Sequence, residues 1–240
     1  MSKKLVQIGM DDIDNPEGGC TTHFASIIVE KLSNLTVDWV DYPNLIRLNP
    51  GIPYRTRGNG AVALRFRTDH KNIELIIAMI QELAQHYIGR EYPNTNPGVV
   101  FLEGNVTKRA LDLSKLALWR VVPVELALRV IEDGNLRYYS SGNQRGLIGA
   151  ISAIANTLTE DHTYEYIAYR TLDDCSETRE VDAESVRTMD RTMGDRVFSN
   201  VDEAEDRILI EPHGSDPVLF GVRGETANSV IEAGMQVLSK

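Results

Sequence analysis

The segment from Asp69 to Tyr87 places the strongest constraint on the fold, because it carries the clearest amphipathic helix pattern in the chain. Asp69 is expected to cap the helix, and Gly89 with Pro93 to end it. The apolar residues that recur at three- and four-residue spacing are Ile73, Ile76, Ile77, Ile80, Leu83, Ala84 and Tyr87. We expect this helix to belong to the scaffold.

Strand patterns surround this helix. Val62, Leu64 and Phe66 alternate with Ala63, Arg65 and Arg67, which predicts a half-buried strand with both arginines on one face. A helix is expected to follow a cap at Thr21 or Thr22. The segments that predict strands are Leu5–Met10, Val37–Leu48, Ala61–Thr68 and Val99–Leu102. The opening 105 residues therefore read βαββαβ.

The later part of the chain predicts helices at Leu111–Trp119, Val124–Ile131 and Arg145–Leu158. The last third reads βαββα, a split βαβ unit lacking its last strand. Its predicted elements are strands at Tyr164–Tyr169, Arg207–Ile210 and Val218–Val222, and helices at Asp182–Arg191 and Ala227–Leu238. The sequence therefore predicts an α/β (α+β) protein with one domain over residues 1–160 and a second over 161–240.

Composition excludes several classes of protein. The 240 residues carry a net charge of −10, but 19 acids and 8 bases lie in residues 158–240, against 16 acids and 17 bases before them. Two distant cysteines cannot form a disulfide framework or a four-cysteine zinc site, which indicates a reducing, cytoplasmic compartment and no zinc. The longest apolar run is six residues, against about 20 for a membrane-spanning helix.

The first segment with chemical potential is acidic and rich in glycine. Asp11, Asp12 and Asp14 follow a predicted strand, and three carboxylates so close together call for a cation, with oxygen ligands favouring Mg²⁺ or Mn²⁺. Gly18 and Gly19 would let backbone N–H groups approach an anion. Thr21 and Thr22 would lie at a helix N-terminus, where phosphate is favoured. The alternative is a solvated turn with capping threonines.

The second segment lies between two predicted strands. Gly58, Gly60 and Ala63 match a GxGxxA pattern, but a strand follows them instead of a helix, which excludes a Rossmann turn. This loop, with Asn59, could cover nucleotide phosphates, or it could simply connect a hairpin. The flanking arginines are suited to phosphate or could face water, and are Arg47, Arg55, Arg57, Arg65 and Arg67.

The third segment runs from Ser140 to Gly149. Its glycines could open a helix and free backbone donors for an anion, or let that helix pack closely, which alone accounts for Gly146 and Gly149. Arg145 beside Gly142 and Asn143 favours ligand contact. A Walker P-loop is excluded because Gly-Lys does not occur in the chain. A turn with His213 and Asp216 could also contact a substrate.

Together these segments resemble the amino-terminal half of the archaeal tRNA-isoleucine 2-agmatinylcytidine synthetases. The resemblance spans nearly the whole chain, in family order, through the stretches GMDDIDNPEGGCTTH, RLNPGIPYRTRGNGAVAL, NTNPGVVF, GNQRGLIGA, REVDAESV, FSNVD and PHGSDPVLFGVRGE. Ile13 stands where the family usually has threonine, and His23 where an aromatic residue is common. The longer members continue into an OB-fold and a zinc ribbon, neither of which is seen in these residues.

The resemblance implies a kinase-like ATP-binding domain followed by a ferredoxin-like domain, with ATP and Mg²⁺ as cofactors and tRNA and agmatine as partners. The family phosphorylates the C2 oxygen of the wobble cytidine, and agmatine then displaces the phosphate. By position, Asp11 and Asp12 would bind Mg²⁺, Thr21 would accept phosphate, and the glycine-arginine segments would hold ATP. Two rival hypotheses are a nucleic-acid-binding module without chemistry and a small-molecule kinase.

Overall fold

The computed structural model describes residues 2–14, 20–55, 59–88, 94–156, 162–169, 179–182, 188, 191–198, 207–210 and 218–238. The chain divides into two compact units, residues 1–157 and 158–240. No helix formed by the described residues is long and apolar enough to cross a membrane.

The described part of the first unit is built on an antiparallel sheet with the order β2-β4-β1-β5-β6, in which β3 also pairs with β4. The predicted strand Val37–Leu48 is two strands, because Pro43 lies between them and cannot donate a ladder hydrogen bond. The strand β6 was not predicted. The strands are β1 Lys4–Asp11, β2 Val37–Trp39, β3 Asn44–Arg47, β4 Gly60–Thr68, β5 Gly98–Glu103 and β6 Arg137–Ser140.

Helices cover both faces of this sheet and bury two apolar clusters. The first cluster joins the sheet to α1 and α2, and the second joins it to α3, α4 and α5. Asp69 precedes α2 as predicted, but its side chain makes no capping hydrogen bond. The helices are α1 Thr21–Ser33, α2 His70–Tyr87, α3 Lys108–Ala117, α4 Val124–Gly134 and α5 Gly146–Ala155.

The strand β4 shows where the half-buried prediction holds and where it is wrong. Val62, Leu64 and Phe66 belong to the first cluster, but Ala61 and Ala63 are also buried, because α5 covers that end of the opposite face. Arg65 lies farther along the strand and forms an ion pair with Asp41. It also donates from Nη2 to Asn44 Oδ1 at 2.7 Å. The structure therefore uses Arg65 inside the fold and corrects its interpretation as a phosphate ligand.

The second unit contains a sheet with the order β7-β11-β9 and a separate pair, β8-β10. The strand β11 lies antiparallel between β7 and β9, as in a split βαβ unit. The predicted strand Arg207–Ile210 forms, but it pairs with β8, and the strand beside β11 is the two-residue β9. The strand β9 was not predicted because two residues are too few to show an alternating pattern. The elements are β7 Tyr164–Tyr169, β8 Arg179–Asp182, β9 Val197–Phe198, β10 Arg207–Ile210, β11 Val218–Gly224 and α6 Ala227–Leu238.

Glycines let α5 approach the sheet closely. A Cβ atom on Gly9 would collide with the carbonyl oxygen of Ala150, and one on Gly98 would collide with the backbone of Gly146 and Leu147. Backbone atoms cannot turn aside as a flexible side chain can. The position of α5 therefore depends on the absence of side chains at Gly9 and Gly98.

The substitution Gly9→Ala tests this close approach. We expect it to lower the free energy of unfolding by about 3 kcal/mol, the upper part of the usual range for overpacking, because its obstacle is backbone. Gly51→Ala is the control, since a Cβ there meets only the side-chain oxygen of Asn49, at 3.2 Å. Urea denaturation of both variants measures the difference, and equal midpoints would contradict the packing argument.

Candidate functional site

Strand register brings the candidate segments to one end of the first sheet. Asp11, the last residue of β1, lies opposite Gly98, and Gly98 lies opposite Ser140, the last residue of β6. Met10 lies opposite Val62 of β4, two residues from Gly60. The segments that follow Asp11 and Ser140, and those that precede Gly60 and Gly98, therefore emerge at the same end of the sheet.

Asn96 links three of these segments. The residue is 2% exposed, and its backbone N–H donates to Asp12 Oδ2 at 3.2 Å. Its backbone oxygen accepts from Gly146 N at 2.9 Å, and its Oδ1 accepts from Asn143 N at 2.9 Å. Its Nδ2 donates to Asn94 O at 2.9 Å. No sequence pattern assigned a role to Asn96, although it lies in the stretch NTNPGVVF that contributes to the family resemblance.

Asp12 and Arg145 form an electrostatic pair beside this node. Asp12 Oδ2 lies 3.9 Å from Arg145 Nη2, and the two side chains are 14% and 25% exposed. The guanidinium of Arg145 also stacks over the ring of Tyr54 at 5.0 Å and donates to Tyr54 O at 3.3 Å. Arg145 is therefore held between the acidic loop and the loop that contains Tyr54, a residue that no sequence pattern singled out.

Asp14 is hydrogen-bonded to Thr21. Its Oδ1 accepts from Thr21 N at 2.9 Å and from Thr21 Oγ1 at 3.2 Å. The backbone oxygen of Asp14 accepts from Thr95 Oγ1 at 2.6 Å, which anchors the acidic loop to the segment before β5. A carboxylate therefore holds the hydroxyl of Thr21, in a position to take its proton.

The start of α1 differs from the sequence prediction. The N-cap is Cys20, whose Sγ accepts from His23 N at 3.4 Å, so neither Thr21 nor Thr22 caps the helix. Thr21 N binds Asp14, and Cys20 N donates to the Tyr87 hydroxyl at 3.0 Å. A carboxylate thus occupies the anion position expected for phosphate at this helix N-terminus.

Two departures from the family pattern are buried. His23 is 3% exposed, and its Nδ1 lies 2.7 Å from the Tyr87 hydroxyl, which also contacts the cap of α1. Ile13 is 0% exposed and packs in the first apolar cluster. Both residues therefore pack inside the fold, next to the acidic loop and the start of α1 in the chain.

Asp11 occupies an unfavourable environment for a carboxylate. Its side chain lies against Gly149 of α5, where a Cβ atom would collide with Asp11 Oδ2. Burial raises the pKa of Asp11 well above the ordinary value of 3.8, and the charges of Asp12 and Asp14 raise it further. The close approach of Gly149 explains why glycine is required there, and it agrees with the packing interpretation of that residue.

The third segment does not free backbone donors for an anion, and that expectation is wrong. Asn143 N and Gly146 N bind Asn96, and Arg145 N donates to Asn143 Oδ1 at 3.1 Å. Gly142 has φ +60°, and a Cβ there would collide with Asn96 Oδ1. Gly142, Asn143 and Gly146 therefore fix the conformation of the loop. The guanidinium of Arg145 extends from the loop to Asp12 and Tyr54.

The second segment is the connection of an antiparallel hairpin. Arg47 pairs with Gly60 across β3 and β4, and Asn59 adopts φ +50°. Asn59 Nδ2 donates to Asn49 O at 2.6 Å, which closes the loop internally. Arg47 is exposed at the end of β3. The other site predictions lie outside the described residues, and they are Gly18, Gly19, Arg57, Gly58, His213 and Asp216.

The acidic loop suits a hard cation that brings further oxygen ligands with it. Within the described residues no group of three or more His, Cys, Asp and Glu side chains converges as a metal site. Asp14 is turned to Thr21, which leaves Asp11 and Asp12 as the carboxylate pair. Mg²⁺ is often bound by one or two carboxylates together with substrate phosphates and water, and the raised pKa of Asp11 shows a carboxylate that a cation would stabilise.

The fold and site together define an α/β protein with a candidate cation- and phosphate-binding centre. Two family models match the chain, the TiaS TCKD domain over residues 7–74 and the TiaS FLD domain over residues 144–240. The isoleucine-tRNA 2-agmatinylcytidine synthetase TiaS of Staphylothermus marinus is 42% identical over 97% of this chain and 52% of its own length. That of Pyrococcus horikoshii is 40% identical over 98% of this chain and 55% of its own length.

Solved structures agree with the sequence matches. The complex of TiaS with its isoleucine tRNA and ATP has a TM-score of 0.88 and 34% identity, covering 98% of this chain and 55% of that one. The complex of TiaS with the same tRNA, AMPCPP and agmatine has a TM-score of 0.86 and 32% identity, covering 98% of this chain and 56% of that one.

The chain belongs to the TiaS family and corresponds to the amino-terminal part of its members. It spans about half the length of the curated relatives it matches. The resemblance stated from the sequence and the predicted fold class are both confirmed.

The pKa of Asp11 predicts how the stability of the chain depends on pH. Because the folded-state pKa lies above 3.8, the folded chain holds this proton longer than the unfolded chain does. The free energy of unfolding therefore falls as pH rises from 3.8 to the folded-state pKa. Asp11→Asn removes that loss, so we expect the variant to be more stable than the parent at neutral pH in the presence of a chelator.

Urea titrations across pH measure this effect. The gain of Asp11→Asn should vanish below pH 3.8, where the aspartate is protonated in both states. Asp112→Asn, on the exposed face of α3, is the control and should change the free energy of unfolding by less than about 0.5 kcal/mol throughout. A variant less stable than the parent at neutral pH would contradict the assignment.

Proposed function

We propose that the chain is the ATP-binding and phosphoryl-transfer part of an ATP-dependent tRNA-isoleucine 2-agmatinylcytidine synthetase. The observation that carries the proposal is the contact of Asp14 Oδ1 with both the N–H and the hydroxyl of Thr21, beside the Asp11–Asp12 pair. A nucleophile, a proton acceptor and two carboxylates thus lie in one loop. Relatives of the chain carry the name of this enzyme, and solved relatives hold ATP, tRNA and agmatine.

Thr21 is proposed to receive the γ-phosphoryl group of ATP. Its Oγ1 forms the new bond to phosphorus, the bond between phosphorus and the oxygen bridging to the β-phosphate breaks, and ADP leaves. Asp14 accepts the hydroxyl proton through the 3.2 Å hydrogen bond already present. The phosphate then lies at the first turn of α1, where the helix dipole stabilises its charge.

Asp11 and Asp12 are proposed to hold Mg²⁺, which supplies charge neutralisation at the phosphate oxygens. Phosphoryl transfer depends chiefly on positioning and charge stabilisation, and the chain provides both. Asp12 is fixed by the Asn96 N–H, and Arg145 is fixed by Tyr54, so neither has to reorganise when substrate enters. Among the residues that the structure describes, Arg145 is the cation next to Asp12, where it would contact a bound phosphate.

The remaining assignments are proposals on the same basis. Residues 1–160 would form the catalytic domain and residues 161–240 the ferredoxin-like domain of a cytoplasmic enzyme. Activation of the wobble cytidine requires transfer of a phosphoryl group from ATP to its C2 oxygen, because that oxygen is otherwise a poor leaving group. The amino group of agmatine then forms the new C–N bond and displaces inorganic phosphate. ATP would be contacted by Asp14, Gly18, Gly19, Thr22, Arg47, Arg57, Gly58, Asn59, Gly60 and Arg145.

Calorimetry with ATP and Mg²⁺ tests the metal assignment. Asp12 has φ +54°, which asparagine tolerates better than alanine does, so Asp12→Asn removes charge without adding backbone strain. We expect the variant to lose at least about tenfold in affinity for ATP with Mg²⁺, and less without the metal. Glu82→Gln removes the same charge from the exposed face of α2 and should bind as the parent does. Equal affinity of the parent and Asp12→Asn would remove the metal-site proposal.

Peptide mapping after incubation with γ-labelled ATP tests the nucleophile. The label should lie on Thr21, disappear in Thr21→Val and persist in Thr22→Ala, whose hydroxyl contacts Cys20 Sγ instead of Asp14. Asp14→Asn should lower the labelling rate by about 10²- to 10⁴-fold, as expected for loss of a general base. Label on Thr22, or full labelling of Asp14→Asn, would refute these roles.

A further inference from the structure

The outer face of α3 carries a stripe of exposed residues that the catalytic proposal does not use. The α3 stripe consists of Lys108, Leu111, Lys115 and Trp119, at spacings of three and four residues, which place them on one side of a helix. Helical geometry continues past Ala117, because Arg120 N donates to Leu116 O at 2.9 Å. The opposite face is buried against the second apolar cluster through Ala110, Leu113, Ser114 and Ala117.

Trp119 is the unusual member of the stripe. Its side chain is 81% exposed, whereas tryptophan is highly buried on average. The chain has one other tryptophan, Trp39, which is 38% exposed and packs edge-on against Phe66 with ring centroids 5.6 Å apart. Trp119 therefore presents a large free aromatic surface at the end of α3.

The charge around Trp119 is positive in an acidic protein. Residues 108–120 contain four basic side chains and one acidic one, although the chain as a whole carries −10. Arg109 forms an ion pair with Asp133 of α4. Within the part of the chain that the structure describes, no ion pair engages Lys108, Lys115 or Arg120. Lys115, one helical turn before Trp119, and Arg120, the next residue, are therefore cations near an exposed aromatic ring.

We propose that the α3 stripe binds unpaired nucleotides of an RNA, with a base stacked on Trp119 and phosphates beside Lys115 and Arg120. Stacking platforms combined with positive charge are the chemistry by which proteins hold unpaired RNA. A paired duplex offers phosphates but no free base face, so Trp119 discriminates in favour of unpaired segments. The proposal deepens the proposed function, because it gives a docking surface to an RNA substrate.

The stripe is connected to the candidate site through one loop. Asn49 N donates to the carbonyl oxygen of Ala117 at 3.3 Å, which fastens the start of this loop to the end of α3. The same loop carries Tyr54, whose ring holds the guanidinium of Arg145 beside Asp12. The loop that holds Arg145 is therefore fastened to the end of α3 that carries Trp119.

Fluorescence titration tests the proposal directly. On a Trp39→Phe background, Trp119 is the single tryptophan and reports its own contact. The probe is an RNA hairpin with a pyrimidine loop, titrated without ATP, beside a fully paired RNA duplex of equal length. We expect the hairpin to quench the fluorescence, Trp119→Ala to weaken hairpin affinity by about tenfold, and Trp119→Phe to restore most of it. Duplex affinity should not depend on Trp119.

Salt dependence separates the charge contribution from stacking. Lys115→Gln and Arg120→Gln should each lower the slope of log affinity against log salt by about 0.7. Lys71→Gln removes the same charge from α2 and should leave the slope unchanged.

The proposal is overturned if the parent chain does not bind the hairpin at low salt, or if Trp119→Ala and Lys115→Gln bind it like the parent. It is also overturned if Trp119→Ala converts a dimer to a monomer in sedimentation, since the stripe then joins two copies.

The RNA-binding experiments and the ATP experiments can fail independently of each other. Asp12→Asn should bind the hairpin like the parent, because Asp12 lies outside the stripe. Trp119-dependent hairpin binding together with no ATP binding by the parent would refute the catalytic proposal and keep the RNA surface. ATP binding and labelling of Thr21 without hairpin binding would do the reverse.

Discussion

The hydrogen bonds of Asn96 hold the candidate site together. This buried residue uses its N–H, its carbonyl oxygen and both side-chain polar atoms, so it joins Asp12, Asn143 and Gly146 to the segment before β5. A buried polar group is tolerated only when its hydrogen bonds are made, and a fully satisfied one fixes the geometry around it. The loops after β1 and β6 thereby acquire one defined arrangement, set by the register of three antiparallel strands.

Because the backbone donors around the site already have partners, side chains are the groups that can contact a ligand. The backbone donors of the third segment bind Asn96 and Asn143, and those at the start of α1 bind Asp14, Tyr87 and Cys20. Among the residues that the structure describes, the charged groups at this centre are Asp11, Asp12 and Arg145. These helix termini are therefore stabilised before any ligand arrives, and the described groups that a ligand would meet are carboxylates and the guanidinium of Arg145.

The sequence predicted the elements better than their connections. The long periodic helix α2 and the alternating strand β4 were predictable because their patterns extend over many residues. The two-residue β9 and the role of Cys20 as a cap leave no such signal. Asp11, Asp12, Asp14 and Thr21 could be selected from the sequence as candidates, since their residue types and spacing are unusual. That Asp14 faces Thr21 while Asp12 faces Arg145 depends on Asn96 and on the left-handed backbone of Asp12, which only the three-dimensional structure reveals.

The charge of the site also determines how a nucleotide can enter. Burial raises the pKa of Asp11, the nearby charges of Asp12 and Asp14 raise it further, and Arg145 lies 3.9 Å from Asp12 and offsets one charge. Free ATP, a polyanion, would be repelled by this loop. A divalent cation bound to the phosphates reverses the sign of that interaction, because the same carboxylates then become its ligands. Nucleotide and metal are therefore expected to bind this loop together, so that the affinity of each depends on the presence of the other.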